Sequence, residues 1–352
     1  MSESKIKAAI SVGDLNGIGL EVIMKTFMDQ RMLSICTPVI YASGKAVTFY
    51  RKALNIEFNF VTIRPDEPIV ERKINVVNCW DEEVNIVPGQ TSSEMGKYAQ
   101  KSLDAAIDGV IKGHADILIT APFNKAVMQQ SGFPFPGHTE YLSSKLVEKN
   151  YLMLLVNKEL RTGVATGHIP VKEVSSHLHI DGIYHKLKIM NESLKMDFGI
   201  RKPRIAVLGL NPHAGDDGQI GSEEKDIITP AIKKAYENNI LAFGPYAADG
   251  FFGSSSITKF DGILAMYHDQ GLAPFKALSF ESGVNYTAGL PLIRTSPDHG
   301  TAFDIAGKGI ASENSFREAV YMACDLFNQR KEYHEINANP LPLGFSKLGK
   351  DQ

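Results

Sequence analysis

The chain has 352 residues, of which 43% are apolar and 22% are charged, a composition typical of a globular protein and unlike that of a disordered one. Its formal net charge of −3 excludes the strongly basic surface expected of a protein that binds nucleic acid or an anionic membrane. The length predicts about two domains, and the expected partner is a small molecule.

Cysteine content and apolar runs indicate a reducing compartment. The cysteines Cys36, Cys79 and Cys324 are odd in number and lack the spacing of a metal site, so we expect free thiols. The first apolar stretch is about five residues long, too short for the core of a signal peptide, and no run approaches the length of a membrane span. The sequence therefore predicts a cytoplasmic protein.

Short apolar runs alternate with helical patterns along the chain. The first three runs are typical of buried strands: KAAISV, TPVIYAS and ADILITAP. Helical spacing of apolar residues is found from Gly19, at Lys45–Leu54, between Glu94 and Gly113, after Asp181 and from Phe316 to Phe327. This alternation predicts an α/β protein with a parallel sheet flanked by helices.

Three histidines each stand where an apolar run gives way to a loop. His168, His213 and His268 end the segments RTGVATGH, RIAVLGLNPH and DGILAMYH, whose apolar runs are typical of strands. Ligands bind at the carboxyl ends of strands in open α/β sheets, and three neutral imidazoles suit zinc or a similar ion with one position open. A lone histidine there is more often structural, so the three together favour metal binding and structural roles about equally.

Two glycine-rich segments are candidate binding loops. GDLNGIGLE (Gly13–Glu21) lies between a strand and a helix, but it lacks the spacing of a dinucleotide fingerprint and the lysine of a P-loop, so a plain turn is at least as well supported. In DHGTAFDIAGKG (Asp298–Gly309), Gly300 and its small neighbours permit close contact with a flat ring, and Asp304 can accept hydrogen bonds from ribose hydroxyls. A surface loop is the alternative interpretation.

Several polar residues suit a phosphate group. Lys276, Asn285 and Arg294 offer two cations and an amide within a short span, although a solvated basic pair fits the pattern about as well. His138 and Thr139 precede a helical pattern and can donate to an anion near the helix N-terminus, or Thr139 can serve as a simple N-cap.

Six ordered blocks are distributed along the chain after its first third: PFNKAVMQQSGFPFPGHTEYL, TGHIPVKEV, LGLNPHAGDDGQIGSEE, GPYAADGFF, YHDQGLAPFKAL and VNYTAGLPLIRTSPDHGTAFDIAGKG. Together they resemble the 4-hydroxythreonine-4-phosphate dehydrogenase family of pyridoxal phosphate biosynthesis. The resemblance implies that His168, His213 and His268 bind a divalent metal ion, with zinc, magnesium and cobalt as candidates. It also implies that the phosphorylated substrate binds to His138, Thr139, Lys276, Asn285 and Arg294.

The same resemblance implies a two-domain α/β/α subunit of the isocitrate/isopropylmalate dehydrogenase-like fold, with the active site in the interdomain cleft. One domain is expected at 1–137 plus 300–352, and the other, with most ligands, at 138–299. A homodimer that shares metal ligands across its interface is implied as well. By analogy with the β-decarboxylating dehydrogenases, Gly300 and Asp304 bind the cofactor, and the Asp304 carboxylate favours NAD over NADP.

The activity that the resemblance implies is oxidation of 4-phosphooxy-L-threonine followed by decarboxylation to 3-amino-2-oxopropyl phosphate. The metal ion would act as a Lewis acid in both steps. Asp249, in YAADGFF, is the candidate for proton transfer or for holding the substrate's amine, with a capping or surface role as the alternative.

Two other functions stay open. One is a sister dehydrogenase for another phosphorylated hydroxy acid or a cyclic diol, and the other is a metal-dependent hydrolase or lyase without nicotinamide. The first loop also departs from the family's usual GDPAGIGPE at Leu15, Asn16 and Leu20. Its glycines are kept, so the departure concerns only the detailed shape of the loop.

Overall fold

The computed structural model describes residues 5–135, 137–147, 150–279 and 282–339. Within these residues, twelve strands form one sheet. The strands are β1 (Ile6–Ser11), β2 (Cys36–Ala42), β3 (Val61–Ile63), β4 (Asn75–Asn78), β5 (Ile117–Thr120), β6 (Leu152–Val156), β7 (Arg161–Val164), β8 (Arg204–Leu208), β9 (Leu241–Tyr246), β10 (Gly262–Ala265), β11 (Val284–Ala288) and β12 (Ile293–Pro297). Their order across the sheet is β3-β4-β2-β1-β5-β12-β11-β6-β7-β10-β8-β9.

Helices connect the strands and cover both faces of the sheet. They are α1 (Gly19–Met28), α2 (Met32–Ile35), α3 (Gly44–Ala53), α4 (Ser93–Ile111), α5 (Lys125–Gln130), α6 (His138–Lys145), α7 (Val174–His177), α8 (Ile180–Met196), α9 (Thr229–Glu237), α10 (Ala248–Phe252), α11 (His268–Leu278) and α12 (Asn314–Asn337). Ala8 and Ile10 of β1 pack into one apolar cluster, and Ala9 between them packs into another. Apolar side chains on both faces of a strand are typical of a sheet covered on each side by helices.

The sheet has two parallel parts joined by antiparallel strands. The six strands from β3 to β12 are parallel to one another, and so are the four from β7 to β9. In the centre, β11 pairs antiparallel with both β12 and β6, and β6 pairs antiparallel with β7. The predicted parallel sheet is therefore confirmed in its outer parts and wrong at its centre, and the two parts run in opposite directions.

Two tight hairpins supply two of the three antiparallel pairings at the centre of the sheet. Between β6 and β7, the side chain of Asn157 accepts hydrogen bonds from the backbone N–H groups of Glu159 and Leu160, at 2.8 and 2.6 Å. Between β11 and β12 the chain turns at Gly289, whose φ is +88°. Asparagine and glycine favour such turns because one bonds to its own backbone and the other tolerates positive φ.

The predicted helices are confirmed, and their apolar faces pack as expected. Tyr98 and Leu103 of α4 are buried, whereas Ile111 at its last turn is 56% exposed. In α12, Phe316 and Cys324 are buried against the sheet. Cys36, Cys79 and Cys324 are free thiols, as predicted.

A buried ion pair ties α12 to the rest of the structure. The guanidinium of Arg330 donates to the Asp197 carboxylate at 2.7 Å and to the Tyr286 hydroxyl at 3.0 Å. Tyr286, on β11, in turn donates to Asp197 at 2.6 Å. Separation of these three residues would leave buried charged and polar groups without partners, which is unfavourable. The cluster therefore fixes α12 against β11 and the end of α8.

None of the helices in the described part of the chain is long and apolar enough to cross a lipid bilayer.

Candidate active site

A cavity of about 330 Å³ lies where the two parts of the sheet meet. Segments that follow β5 and β12 line one side of it, and segments that follow β7 and β10 line the other, with Asn285 of β11 and Met153 of β6 between them. Most of the predicted site residues line this cavity: His138, Thr139, His168, His268, Lys276, Asn285, Arg294 and Gly300. A larger depression of about 1110 Å³ against α12 contains none of them.

Arg294 is a buried cation that makes no ion pair with the described residues, although the charge of Glu140 acts on it from a greater distance. Its side chain comes from β12 and is only 3% exposed. The guanidinium donates to the Thr120 hydroxyl at 2.6 and 3.1 Å, but no carboxylate of the described residues lies within ion-pair distance. Burial lowers the pKa of Arg294 to about 10, so the group remains charged at neutral pH. An unpaired buried charge is unfavourable, which points to an anionic ligand.

Two buried polar atoms beside Arg294 also lack partners. The Nε2 atom of His138 and the Oδ1 atom of Asn285 accept or donate no hydrogen bond within the described residues. The His138 ring stacks on Phe123 with 3.8 Å between ring centroids. Burial, with the charges of Arg294 and Lys125, holds the pKa of His138 well below its usual value, so the ring is neutral. Buried polar groups are normally paired, so these atoms indicate a place for a polar ligand.

Thr139 lies in the first turn of α6, where the N-cap residue is Gly137. The alternative interpretation of Thr139 as the N-cap is therefore wrong, and Thr139 instead lines the cavity.

Lys276 stands on the cavity rim in an ion pair. Its Nζ atom lies 3.1 Å from the Asp298 carboxylate. Burial raises the pKa of Asp298, and Lys276 acts in the opposite direction. Asp298 is held in place because its backbone N–H donates to the Ser315 hydroxyl at 3.0 Å. Lys276 is therefore positioned but partly neutralised.

His168 and His268 form the other end of the cavity. They follow the adjacent parallel strands β7 and β10, and their rings lie 5.4 Å apart between centroids. Both imidazoles are partly exposed to solvent. The Nδ1 atom of His268 lies 2.7 Å from the Asp269 carboxylate, a contact that orients the ring. Two converging imidazoles suit a divalent ion but do not by themselves complete a site.

His213 does not join the other two histidines in one chain. It follows β8, which neighbours β10 as the strand pattern implied, but it does not line the cavity. Among the described residues, no three histidine, cysteine or acidic side chains gather as a metal site. His213 is exposed on a turn in which it and Ala214, Asp216 and Asp217 all have positive φ.

This left-handed turn is held by one buried carboxylate. Glu224 accepts hydrogen bonds from the backbone N–H groups of Leu210 and Asn211, both at 2.7 Å, and from the Asn211 side chain at 3.0 Å. Positive φ costs about 1 kcal/mol or more at each non-glycine residue, so the turn persists because its base is fixed. Asp249 is exposed on α10, which contacts this turn rather than the cavity.

Lys125 and Glu140 line the cavity and were not predicted. The Lys125 ammonium lies 3.4 Å from Nε2 of His168, and a Glu140 oxygen lies 3.9 Å from its Nδ1. Burial acts to raise the pKa of Glu140, but His168, the backbone and Lys125 outweigh it, and the pKa is lowered. A sequence signal for Lys125 is its position three residues after ADILITAP, in the segment that follows the carboxyl end of a strand.

The second glycine-rich segment starts at the cavity. Asp298, His299 and Gly300 line it, and burial lowers the pKa of His299, whose Nε2 atom lacks a partner among the described residues. Asp304 lies farther along the loop and is exposed. The loop thus leads from the cavity to solvent, an arrangement that fits an elongated ligand.

The first glycine-rich segment supports this loop and does not line the cavity. The backbone N–H of Ile18 donates to the Thr301 carbonyl at 3.1 Å. At Gly13, where φ is +66°, a Cβ atom would lie 2.1 Å from the Pro122 carbonyl oxygen, so only glycine fits. The plain structural turn is the interpretation that the contacts support.

Asn16, where the sequence departs from the family's usual loop, fixes a neighbouring segment. Its side chain accepts from the Val87 N–H at 2.9 Å and donates to the Gln90 carbonyl at 2.8 Å. Its backbone carbonyl accepts from Gly89 at 2.8 Å. The departure therefore adds hydrogen bonds beneath the loop and leaves the cavity unchanged.

The fold and the cavity define a class: an α/β subunit that binds a small anionic ligand next to a pair of imidazoles. Residues 34–323 match a family model described as "Pyridoxal phosphate biosynthetic protein PdxA". The chain therefore belongs to the PdxA family, and the resemblance inferred from sequence is confirmed.

Individual relatives agree with this assignment. The chain is 52% identical to the 4-hydroxythreonine-4-phosphate dehydrogenase of Bacteroides thetaiotaomicron, over 97% of this chain and 94% of that one. It is 36% identical to a "Putative D-threonate 4-phosphate dehydrogenase" of Oceanobacillus iheyensis, over 90% and 96% of the two chains. A crystal structure of the 4-hydroxythreonine-4-phosphate dehydrogenase from Klebsiella pneumoniae is similar with a TM-score of 0.79, at 32% identity over 92% and 98% of the chains. The isocitrate/isopropylmalate dehydrogenase-like fold is thus confirmed.

Proposed function

We propose that this chain is an NAD-dependent dehydrogenase that oxidises the C3 hydroxyl of 4-phosphooxy-L-threonine. Loss of carbon dioxide then gives 3-amino-2-oxopropyl phosphate. The name of the relative with 52% identity supports this substrate. The single observation that supports it most strongly is the unpaired, buried guanidinium of Arg294.

A phosphate group would supply what the Arg294 end of the cavity lacks. It brings negative charge to the guanidinium and an acceptor oxygen to the neutral His138 ring, and the Asn285 side-chain amide can donate to it through Nδ2. Thr139 and Lys276 lie at the same cavity and add a hydroxyl and a second cation. We infer that these five residues hold the phosphate and orient the rest of the substrate towards His168 and His268.

The imidazole end of the cavity fits a divalent ion in part. We propose that His168 and His268 hold it together with His213 from a second copy of the chain, so that the working unit is a homodimer. The exposed left-handed turn supports this arrangement because it leaves His213 in solvent and outside the lining of its own cavity. When bound, the ion supplies Lewis-acid stabilisation of the negative charge that develops on substrate oxygens.

The loop after β12 is the proposed cofactor site. The unpartnered Nε2 of His299 and the open space beside Gly300 adjoin the cavity, and Asp304 follows along the loop. A carboxylate near a ribose favours NAD over NADP, since a 2′-phosphate would be repelled. We propose that Asp249, which shares the His213 surface, acts at the active site of the other subunit.

A second candidate is oxidation of D-threonate 4-phosphate or a similar phosphorylated hydroxy acid. The relative from Oceanobacillus iheyensis, which is 36% identical, favours it. The Arg294 end would serve either compound because both carry a phosphate. The two differ in whether an amine or a hydroxyl lies next to the carboxylate.

The test is NADH formation by the purified protein with a divalent metal, NAD and either 4-phosphooxy-L-threonine or D-threonate 4-phosphate. We expect metal-dependent NADH and released carbon dioxide from the amino compound. Turnover of D-threonate 4-phosphate alone would support the second candidate. No NADH from either compound, with folded and metal-loaded protein, would contradict both and favour a hydrolase or lyase.

A further inference from the structure

Lys125 places a cation beside His168, within electrostatic reach of Glu140 but in no ion pair with the described residues. It is the first residue of α5, and its ammonium lies 3.4 Å from Nε2 of His168. No acidic side chain of the described residues is within ion-pair distance of it, whereas Lys276 is paired with Asp298. The Lys125 charge nevertheless reaches the cavity, since it contributes to lowering the pKa values of both His138 and Glu140.

The proposed substrate has two anionic groups, and the phosphate accounts for only one of them. Arg294 and its neighbours suit the phosphate, and Arg294 comes from β12, whereas His168 follows β7 on the other side of the central antiparallel strands. The carboxylate, which is lost as carbon dioxide, has no assigned partner. A cation that makes no ion pair within the described residues and lies beside His168 is the natural complement for it.

The position of Lys125 beside His168 adds a second argument. A divalent ion on the imidazoles and an ammonium within a few ångströms of the same ring nitrogen would repel each other. An anion between them removes that repulsion. The carboxylate of the substrate is of the right charge and size to lie there, since Arg294 and its neighbours are proposed to hold the phosphate.

We propose that Lys125 binds the carboxylate of the substrate and thereby selects hydroxy acids over the corresponding amino alcohol phosphates. This inference rests on the proposed function. Lys125 and Arg294 then act as two anchors, one for each anionic group. The reacting C3 carbon is held between them, next to the histidines.

The test is calorimetric binding to the metal-loaded dimer without NAD, so that no turnover occurs. The two ligands are 4-phosphooxy-L-threonine and 3-amino-2-hydroxypropyl phosphate, which lacks only the carboxylate. We expect the wild-type protein to prefer the first ligand by about 10-fold to 100-fold, as for a charge-assisted contact. Lys125→Met should bind the two ligands with nearly equal affinity and keep the wild-type affinity for the second.

Two further variants serve as controls. Lys125→Arg should restore the preference because it keeps a cation, and Lys188→Met, on the exposed side of α8, should behave as wild type. A Lys125→Met protein that keeps the wild-type preference, or that loses both ligands equally, would overturn the inference and leave the proposed function intact. A wild-type protein that binds neither ligand would overturn both.

Discussion

The two ends of the cavity differ in how completely one chain builds them. At the Arg294 end, the cation is buried and the His138 ring is half-buried, and Thr120 and Phe123 fix them in place. At the imidazole end, His168 and His268 are partly exposed and the third predicted ligand lies elsewhere. Folding of one chain completes the Arg294 end, whereas the imidazole end remains open to solvent.

The contrast teaches where preorganisation is needed. Burying an unpaired guanidinium is unfavourable, so the fold must hold it rigidly, and the gain is a strong interaction with an anion in a low-dielectric site. Exposed imidazoles cost little to leave without a ligand. Before a metal ion and a second subunit bind, water can form hydrogen bonds with these imidazoles.

The largest expected effect is on kcat and comes from a change at the imidazole end. His213→Ala should lower kcat by about a thousandfold, the size expected for loss of Lewis-acid catalysis. Phosphate binding should be unchanged, since His213 does not line its own cavity. Metal content and calorimetric binding of the substrate, measured beside kcat, separate these outcomes.

Mixing two variant proteins tests whether two subunits together form the imidazole end. At a substrate concentration near the wild-type KM, where His213→Ala and Arg294→Met are each nearly inactive alone, the mixture should regain about a quarter of wild-type activity after subunits exchange, because half of the dimers then have one intact site. No recovery after verified exchange would mean that His213 serves its own chain or no active site.

A smaller effect, on KM, is expected from a change at the Arg294 end. Arg294→Met should raise KM by about 100-fold, since a buried charge-assisted contact is lost, and leave metal content unchanged. The unliganded variant should unfold at the same temperature as the wild type or higher, because an apolar side chain replaces an unpaired buried charge. A large fall in the melting temperature with unchanged KM would assign Arg294 a structural role instead.

The smallest expected effect is on stability and comes from a buried carboxyl group away from both ends of the cavity. Burial raises the pKa of Asp14, in the first glycine-rich segment, to about 6. The folded protein therefore binds more protons than the unfolded chain between about pH 4 and pH 6, and stability falls as the pH rises through that range. Asp14→Asn should be more stable than wild type by about 2–3 kcal/mol at pH 8 and nearly equal at pH 4.

Urea unfolding at the two pH values measures this difference. Equal stability of Asp14→Asn and wild type at pH 8 would show that the carboxylate is solvated in the folded state. The comparison with Arg294→Met then distinguishes a charge that is merely buried from one that is buried for a ligand.

Much of the fold was predictable because apolar runs and turn residues are local signals. The runs before His168, His213 and His268 proved to be β7, β8 and β10, which are neighbours in the sheet. The direction of the central strands was not predictable in this way. A strand buried on both faces, such as LMLLV, has the same apolar pattern whether its neighbours are parallel or antiparallel.

Prediction of the site was limited because sequence patterns report on residues that are close together in the chain. Lys276, Asn285 and Arg294 were grouped because they are close in sequence, and the cavity brings them together. Lys125 was missed because a lysine at the start of a helix is usually solvated. The separation of His213 depends on a left-handed backbone at non-glycine residues, which no composition rule indicates.

The reversal of strand direction across β11 and β6 has an evolutionary consequence. All three histidines follow strands of one parallel part, whereas Arg294, Thr120 and His138 belong to the other. Loops on one side of the seam can therefore change without disturbing the strands that carry the other set. A lineage with this architecture can acquire new substrates by altering anion recognition while its metal chemistry is inherited unchanged.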